Sequence, residues 1–199
     1  MVAYVFDSLL AQGVRKGQIP ARTKAARDWF RGIAQQTSAT QTSVFKTPDK
    51  SRITGSTNIG EMCMFKYDPK HKKTLPFYDT FPVIFPIDKA PGGFLGINMH
   101  YLPHTMRAKL MDALYGLATN KQYDETTKLK LSYSVLNAAA TFKWFKPCVK
   151  HYLTGHVNSR FLNIASTEWD IAIFLPLESF QKSSTSDVWK ESRRIINRK

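Results

Sequence analysis

The sequence predicts an α+β fold: a small curled antiparallel sheet or partly open SH3-like barrel, covered by helices and preceded by a basic N-terminal helical arm. Three observations predict it. Between Ile59 and Pro103 the chain consists of short aromatic and β-branched runs cut by Gly60, Pro69, Pro76, Pro82, Pro86, Pro91, Gly92 and Gly93, the texture of strands and turns. Before and after that stretch, apolar residues recur at helical spacing. With 43% apolar and 13% aromatic residues in 199, the chain has enough to bury for a core without staples.

Taken in order, residues 1–58 carry nine Lys/Arg against three Asp, nearly half of the excess positive charge. Ala21 to Gln36 reads as a helix after Pro20, with Ala25, Trp29 and Ile33 four apart and Lys24, Arg27 and Arg31 on a neighbouring face. That face suits a run of phosphates or, equally, plain solvent. From Thr37 to Asn58, ten of 22 residues are Ser or Thr, and only Val44, Phe45 and Ile53 offer apolar area, so an extended arm or linker is expected. The division is thus residues 1–58, a basic helix and Ser/Thr-rich arm, and residues 59–199, an α+β core.

In the core, Met62–Tyr67, Val83–Ile87 and Phe94–His100 each fit a strand, and Ala90–Gly93 fits a turn between the last two. Three strands leave an open face and edge that need a cover. Helical stripes supply it: Met106, Leu110, Ala113, Leu114 and Leu117 within Thr105–Ala118, then Leu129, Tyr133, Leu136 and Ala140 within Asp124–Thr141. A short helix near Cys148–Val157, a strand at Arg160–Ile164 and a return to the sheet through Ile171–Leu175 follow. Ser184 with Asp187 matches a capping pattern for a last helix ending in Arg193, Arg194, Arg198 and Lys199.

Composition narrows the function classes. The balance of 29 Lys+Arg against 15 Asp+Glu gives +14 and a pI of about 9.8, which points to polyanionic partners without naming one. No apolar run approaches the roughly 20 residues of a membrane span, and the first ten residues lack a signal-peptide pattern. Cys63 and Cys148 form no CxxC pair and read as two buried thiols in a reducing compartment.

Catalytic patterns are weak. Pro48-Asp49 with Asp68-Pro69-Lys70 formally matches a metal-nuclease spacing, but Asp49 lies in the Ser/Thr-rich arm and a proline ends the strand after Asp68. His100 and His104 have zinc spacing with Pro103 between them, and His151 and His156 are five apart, so no metal site is expected. Phosphate-loop, dinucleotide and nucleophile-elbow motifs are missing, so no enzyme, cofactor or small-molecule substrate is expected.

The best binding candidate is Phe65-Lys66-Tyr67-Asp68-Pro69-Lys70-His71-Lys72-Lys73, followed by Phe77-Tyr78. Four lysines on a proline-bounded turn cannot be buried together; they face water or an anion, and nearby rings can stack on bases. The alternative is a solvated hairpin tip with Phe65, Tyr67 and Phe77 in the core. Lys143-Trp144-Phe145-Lys146-Pro147 with Lys150 forms a second cluster, whose rings suit a core better.

Ile59 to Pro82, with Met62-Cys63-Met64-Phe65-Lys66-Tyr67-Asp68-Pro69 at its centre, and Gly92 to Pro103 resemble the DNA end protector, or head completion, proteins of T-even-type myophages and their cyanophage relatives. The resemblance continues through Arg107–Tyr115, Phe145–Cys148 and Glu168–Pro176. It implies a non-enzymatic virion protein that binds the ends of packaged linear double-stranded DNA and protects them from host exonuclease. Phage head or neck proteins would be further partners, and the location would be the virion, then the host cytoplasm. With that implication, phosphate contacts are expected from Lys66, Lys70, Lys72, Lys73, Arg22, Lys24, Arg27 and Arg31, and stacking from Phe77 or Tyr78. The rival expectation is a structural neck, tail or baseplate component whose N-terminal arm packs on neighbouring subunits.

Overall fold

A computed structural model of the chain describes residues 4–19, 23–118, 133–140 and 145–197. In chain order the strands are β1 (Ile53–Thr54), β2 (Cys63–Met64), β3 (Tyr78–Asp79), β4 (Val83–Ala90), β5 (Gly93–Asn98), β6 (Val149–Leu153), β7 (Phe161–Asn163) and β8 (Phe180–Gln181). The helices are α1 (Val5–Arg15), α2 (Lys24–Gln36), α3 (Gln41–Val44), α4 (His104–Ala118), α5 (described over residues 133–140), α6 (Trp169–Ala172) and α7 (Thr185–Asn197).

The three strands expected between residues 59 and 103 lie in the middle of an antiparallel sheet ordered β1-β7-β2-β4-β5-β6; β3 and β8 pair separately. The sheet is open, with β1 and β6 at its edges, so the curled-sheet alternative stands and the barrel does not close. β4 and β5 form a hairpin through Pro91-Gly92, where Gly92 takes a φ of +71°. A proline followed by a left-handed glycine is what such a turn requires. The register shifts between Pro86 and Asp88, leaving Ile87 as the extra residue of a bulge next to the proline that has no N–H to donate. β5 ends two residues earlier than expected because the Asn98 side chain accepts from His100 N and starts a 3₁₀ turn, Met99–Tyr101.

Alternation along the strands separates two cores. Met62, Met64, Val83, Phe85, Ile97 and Leu162 join the main core with α4, α7 and the Ile171–Leu175 segment. Cys63, Phe65, Tyr67, Ile84, Tyr152 and Phe161 form a smaller aromatic core. There Phe65 meets Phe161 at 5.0 Å and Tyr152 at 5.3 Å, both edge-to-face, the geometry aromatic quadrupoles prefer.

Two expected elements are different. Residues 149–153 are not helical: β6 runs along β5, with Leu153 opposite Gly93 and Val149 opposite Ile97. Glycine makes that approach possible, since a Cβ on Gly93 would lie 1.8 Å from the Tyr152 carbonyl oxygen. Ile171–Leu175 is not a strand but α6 and its following turn, buried throughout. A short apolar run carries no periodicity to separate these possibilities. Asp124–Thr141 is mostly outside the described residues.

The N-terminal 58 residues also depart from an appended arm. Tyr4, Phe6, Leu9, Phe30, Ala34 and Val44 are part of the main core. The buried stripe of α2 is Ala26, Phe30 and Ala34, one position on from that expected, because the Phe30 ring fills the space left by Gly13 of α1. The Ser/Thr-rich segment is ordered locally. Thr40 and Ser43 form a capping box on α3, Asp49 caps a 3₁₀ turn, and β1 pairs with β7.

Candidate nucleic-acid interface

A turn at residues 66–75 projects from the end of β2. Its base is fixed by an isolated bridge of Tyr67 to Val157 and by Asp68 N donating to the His156 carbonyl at 3.0 Å. Two local turns follow, Lys72 N on the Pro69 carbonyl and Leu75 N on the His71 carbonyl. The Lys182 ammonium reaches back from the end of β8 to the carbonyls of Lys73 and Leu75, both at 3.0 Å. Lys182 adopts a φ of +67°, the strained αL region for a side-chain-bearing residue. Pro69 is buried, while Lys66, Lys70, His71, Lys72 and Lys73 are exposed. Lys72 pairs with Asp68, whereas Lys70 and Lys73 have no carboxylate partner among the described residues.

The turn walls one side of a cleft of about 490 Å³; β3 and β6 provide the other sides. Phe77 and Tyr78 both line it. Phe77 is held against Tyr101 and Phe180, whereas no ring packs on Tyr78 among the described residues. Lys66 is not in this cleft: it lines a neighbouring depression with Gln41, Thr42, Phe45, Asn158 and Ser159.

The opposite wall carries Tyr101, Lys150, His151 and Tyr152. The Lys150 ammonium lies 4.0 Å from the centre of the Tyr101 ring, a cation–π contact, and its burial pulls the amine below the usual lysine value. The floor includes Asp79, whose carboxylate accepts from His100 Nδ1 (2.7 Å), Asn98 Nδ2 (3.0 Å) and Phe81 N (3.0 Å). Sequence reasoning grouped Lys150 with the Lys143–Pro147 cluster and read Cys148–Val157 as a short helix, so it did not bring Lys150 and Tyr152 to this wall. At the period of two that strands follow, Lys150 and Tyr152 share a face.

The helical face expected to follow phosphates is otherwise engaged, and this corrects the expectation for Arg27 and Arg31. Arg31 is 4% exposed and donates to Asp170 (2.6 Å), Asp112 (2.8 Å) and Asp28 (3.0 Å). Arg27 donates to Asp112 and covers the Tyr115 ring. The Arg31 donors are thus spent inside the protein, and the Arg27 guanidinium, its side chain 11% exposed, is turned onto Asp112 and Tyr115 rather than out to solvent. Lys24 is exposed and paired with Asp28; Arg22 lies outside the described residues. Arg52 forks onto Glu168, and Arg107 is fully buried, donating to Glu178 and three carbonyls. A basic composition is therefore only partly a basic surface.

The remaining chemistry-bearing residues are structural. Asp49 receives Ser51 N and Oγ. His104 packs on Phe174 and Trp189. Burial pushes the Cys63 and Cys148 thiols up to about 12, consistent with inert core cysteines. Among the described residues, no group of three or more His, Cys, Asp or Glu is placed to hold a metal ion, and no helix is long and apolar enough to cross a membrane.

A family model described as phage T4 terminal DNA protecting protein matches residues 5–192 of the chain. No curated protein and no solved structure matches.

Proposed function

The chain belongs to the phage T4 terminal DNA protecting protein family, and from that premise we propose that it seats on the ends of packaged linear double-stranded DNA and shields them from host exonuclease. Protection is by occupancy and makes or breaks no bond. The observation that carries this reading is the exposed lysine turn beside an aromatic cleft. Lys70, Lys72 and Lys73 supply phosphate contacts, with Lys182 at the base of the turn and Lys66 on its flank. Such contacts give affinity without sequence preference.

Occupying a terminus also requires something that an interior site lacks. Tyr78 is placed beside the lysines with its ring unpacked, suited to the exposed face of a terminal base pair, while Phe77 backs the cleft. Lys24 is a peripheral contact; Arg27 and Arg31 take no part. Residence in the virion, contact with head or neck proteins, and action in the host cytoplasm after ejection belong to the same proposal.

The test is digestion of blunt linear duplex by a processive exonuclease with purified protein present. Protection that a linear competitor relieves and a covalently closed circle does not is the expected result. Equal competition by the circle would overturn end binding.

A further inference from the structure

We propose that the cleft between the lysine turn and β6 receives one terminal nucleotide of a DNA strand through its phosphomonoester, with Lys150 as the innermost phosphate contact. This rests on the end-binding reading above and names the chemical group by which an end is told from an interior.

The first argument is the uncompensated charge at Lys150. Moving an ammonium out of water is strongly unfavourable unless an opposite charge and hydrogen bonds replace the solvent. The other sunken cations obey this rule: Arg27 holds Asp112, Arg31 holds three carboxylates, Arg52 holds Glu168 and Arg107 holds Glu178. Lys150 is as deep as several of these, yet among the described residues it has only the face of Tyr101 and no carboxylate or carbonyl acceptor. It lines a cleft open to solvent, where an incoming anion completes its coordination.

The second argument is the chemistry of the surround. Lys70 and His71 stand on one lip and His151 on the other. The His151 ring is oriented by donating Nε2–H to the Pro91 carbonyl at 3.1 Å. Tyr67, Tyr101, Tyr152 and Tyr78 give the cleft π-faces and hydroxyls suited to a base and sugar. Asp79 would repel an anion if its carboxylate faced the cleft. Its oxygens are turned away from an incoming ligand: His100, Asn98, Phe81 and Ser179 all donate to them.

The third argument is size and charge together. A volume near 490 Å³ lies in the range of small-ligand sites and fits one nucleotide rather than a base pair. A phosphomonoester carries a charge of roughly −1.5 to −2 at neutral pH against −1 for an internal phosphodiester. Only a strand terminus offers that group on a free arm able to enter.

The experiment compares blunt duplexes of one sequence ending in 5′-phosphate, 3′-phosphate or hydroxyl groups only, bound by the full chain and by Lys150→Met at fixed salt. At least one phosphorylated duplex should bind about tenfold tighter than the hydroxyl duplex, a difference that Lys150→Met abolishes. Independently of any variant, thymidine 5′-monophosphate should shift the Tyr78, Tyr101 and Lys150 resonances of the unsubstituted protein, and thymidine should not. Equal affinity for all three duplexes, or no response to the monophosphate, would overturn this inference while leaving end protection intact. Loss of preference for linear over closed DNA would instead remove the reading on which it rests.

Discussion

Asp79 and His100 are joined by a 2.7 Å hydrogen bond between Oδ2 and Nδ1, and both side chains are excluded from solvent. The pair ties the β3–β8 ribbon to the main sheet at the floor of the cleft. Asn98 extends it, donating to Asp79 Oδ2 and to the Tyr152 hydroxyl, each at 3.0 Å. Tyr152, a wall of the cleft, is therefore oriented by the same buried carboxylate.

Asp79→Asn should be destabilising and should reduce acid sensitivity. Burial pushes the Asp79 carboxyl up, but His100, Asn98 and the Phe81 N–H more than reverse this and hold it below 3.8. A carboxyl held lower in the folded than in the unfolded chain contributes stability that is complete above about pH 4 and lost as pH falls through the folded value. Removing one member of a buried pair costs roughly 3 kcal/mol at neutral pH. Urea titrations from pH 7 to pH 2 should therefore show the variant and parent converging at low pH. Glu178, also held low, keeps some acid dependence in both. A constant gap across that range would refute the assignment.

Arg31→Met tests whether the α2 cations serve the fold or DNA. Three carboxylates surround Arg31, and Asp170 shares its burial, so the substitution strands buried negative charge. A loss of about 3–5 kcal/mol is expected in denaturant. The salt dependence of DNA binding by the folded fraction should be unchanged. A shallower slope with intact stability would restore Arg31 to the interface.

Lys70→Ala, Lys72→Ala and Lys73→Ala together should flatten the plot of log affinity against log salt. Each phosphate left without its lysine lowers the slope by roughly 0.9, up to about 2.7 for the three. Lys72 contributes least because Asp68 already holds it. An unchanged slope from gel shifts at several salt concentrations would remove the turn from the interface.

What the sequence made legible follows physical lines. β2, β4 and β5 were readable because their alternation and the Pro91-Gly92 turn are local signals. The lysine turn was readable because its charges have no interior alternative. Arg31 was not, since its acid partners Asp112 and Asp170 lie 81 and 139 residues away. Lys150 was visible only as part of the Lys143–Pro147 cluster; its place across from the lysine turn was not legible, because five residues of an edge strand show too little periodicity and Tyr101 reaches it only through the fold.

Gly13→Ala addresses the N-terminal 58 residues, expected from sequence as a separate arm. A Cβ at Gly13 would stand 2.2 Å from Phe30 Cζ, and Phe30 is 1% exposed, so its ring has no free space to yield into. Overpacking of this kind costs about 1–3 kcal/mol. Phe30 shares one core with the sheet residues Met64, Val83 and Phe85, so the loss should be global. Far-ultraviolet and tryptophan signals should shift to lower denaturant together, as one cooperative transition. An early transition confined to part of the helical signal, with the remaining melt unmoved, would show instead that α1 and α2 fold apart from the sheet.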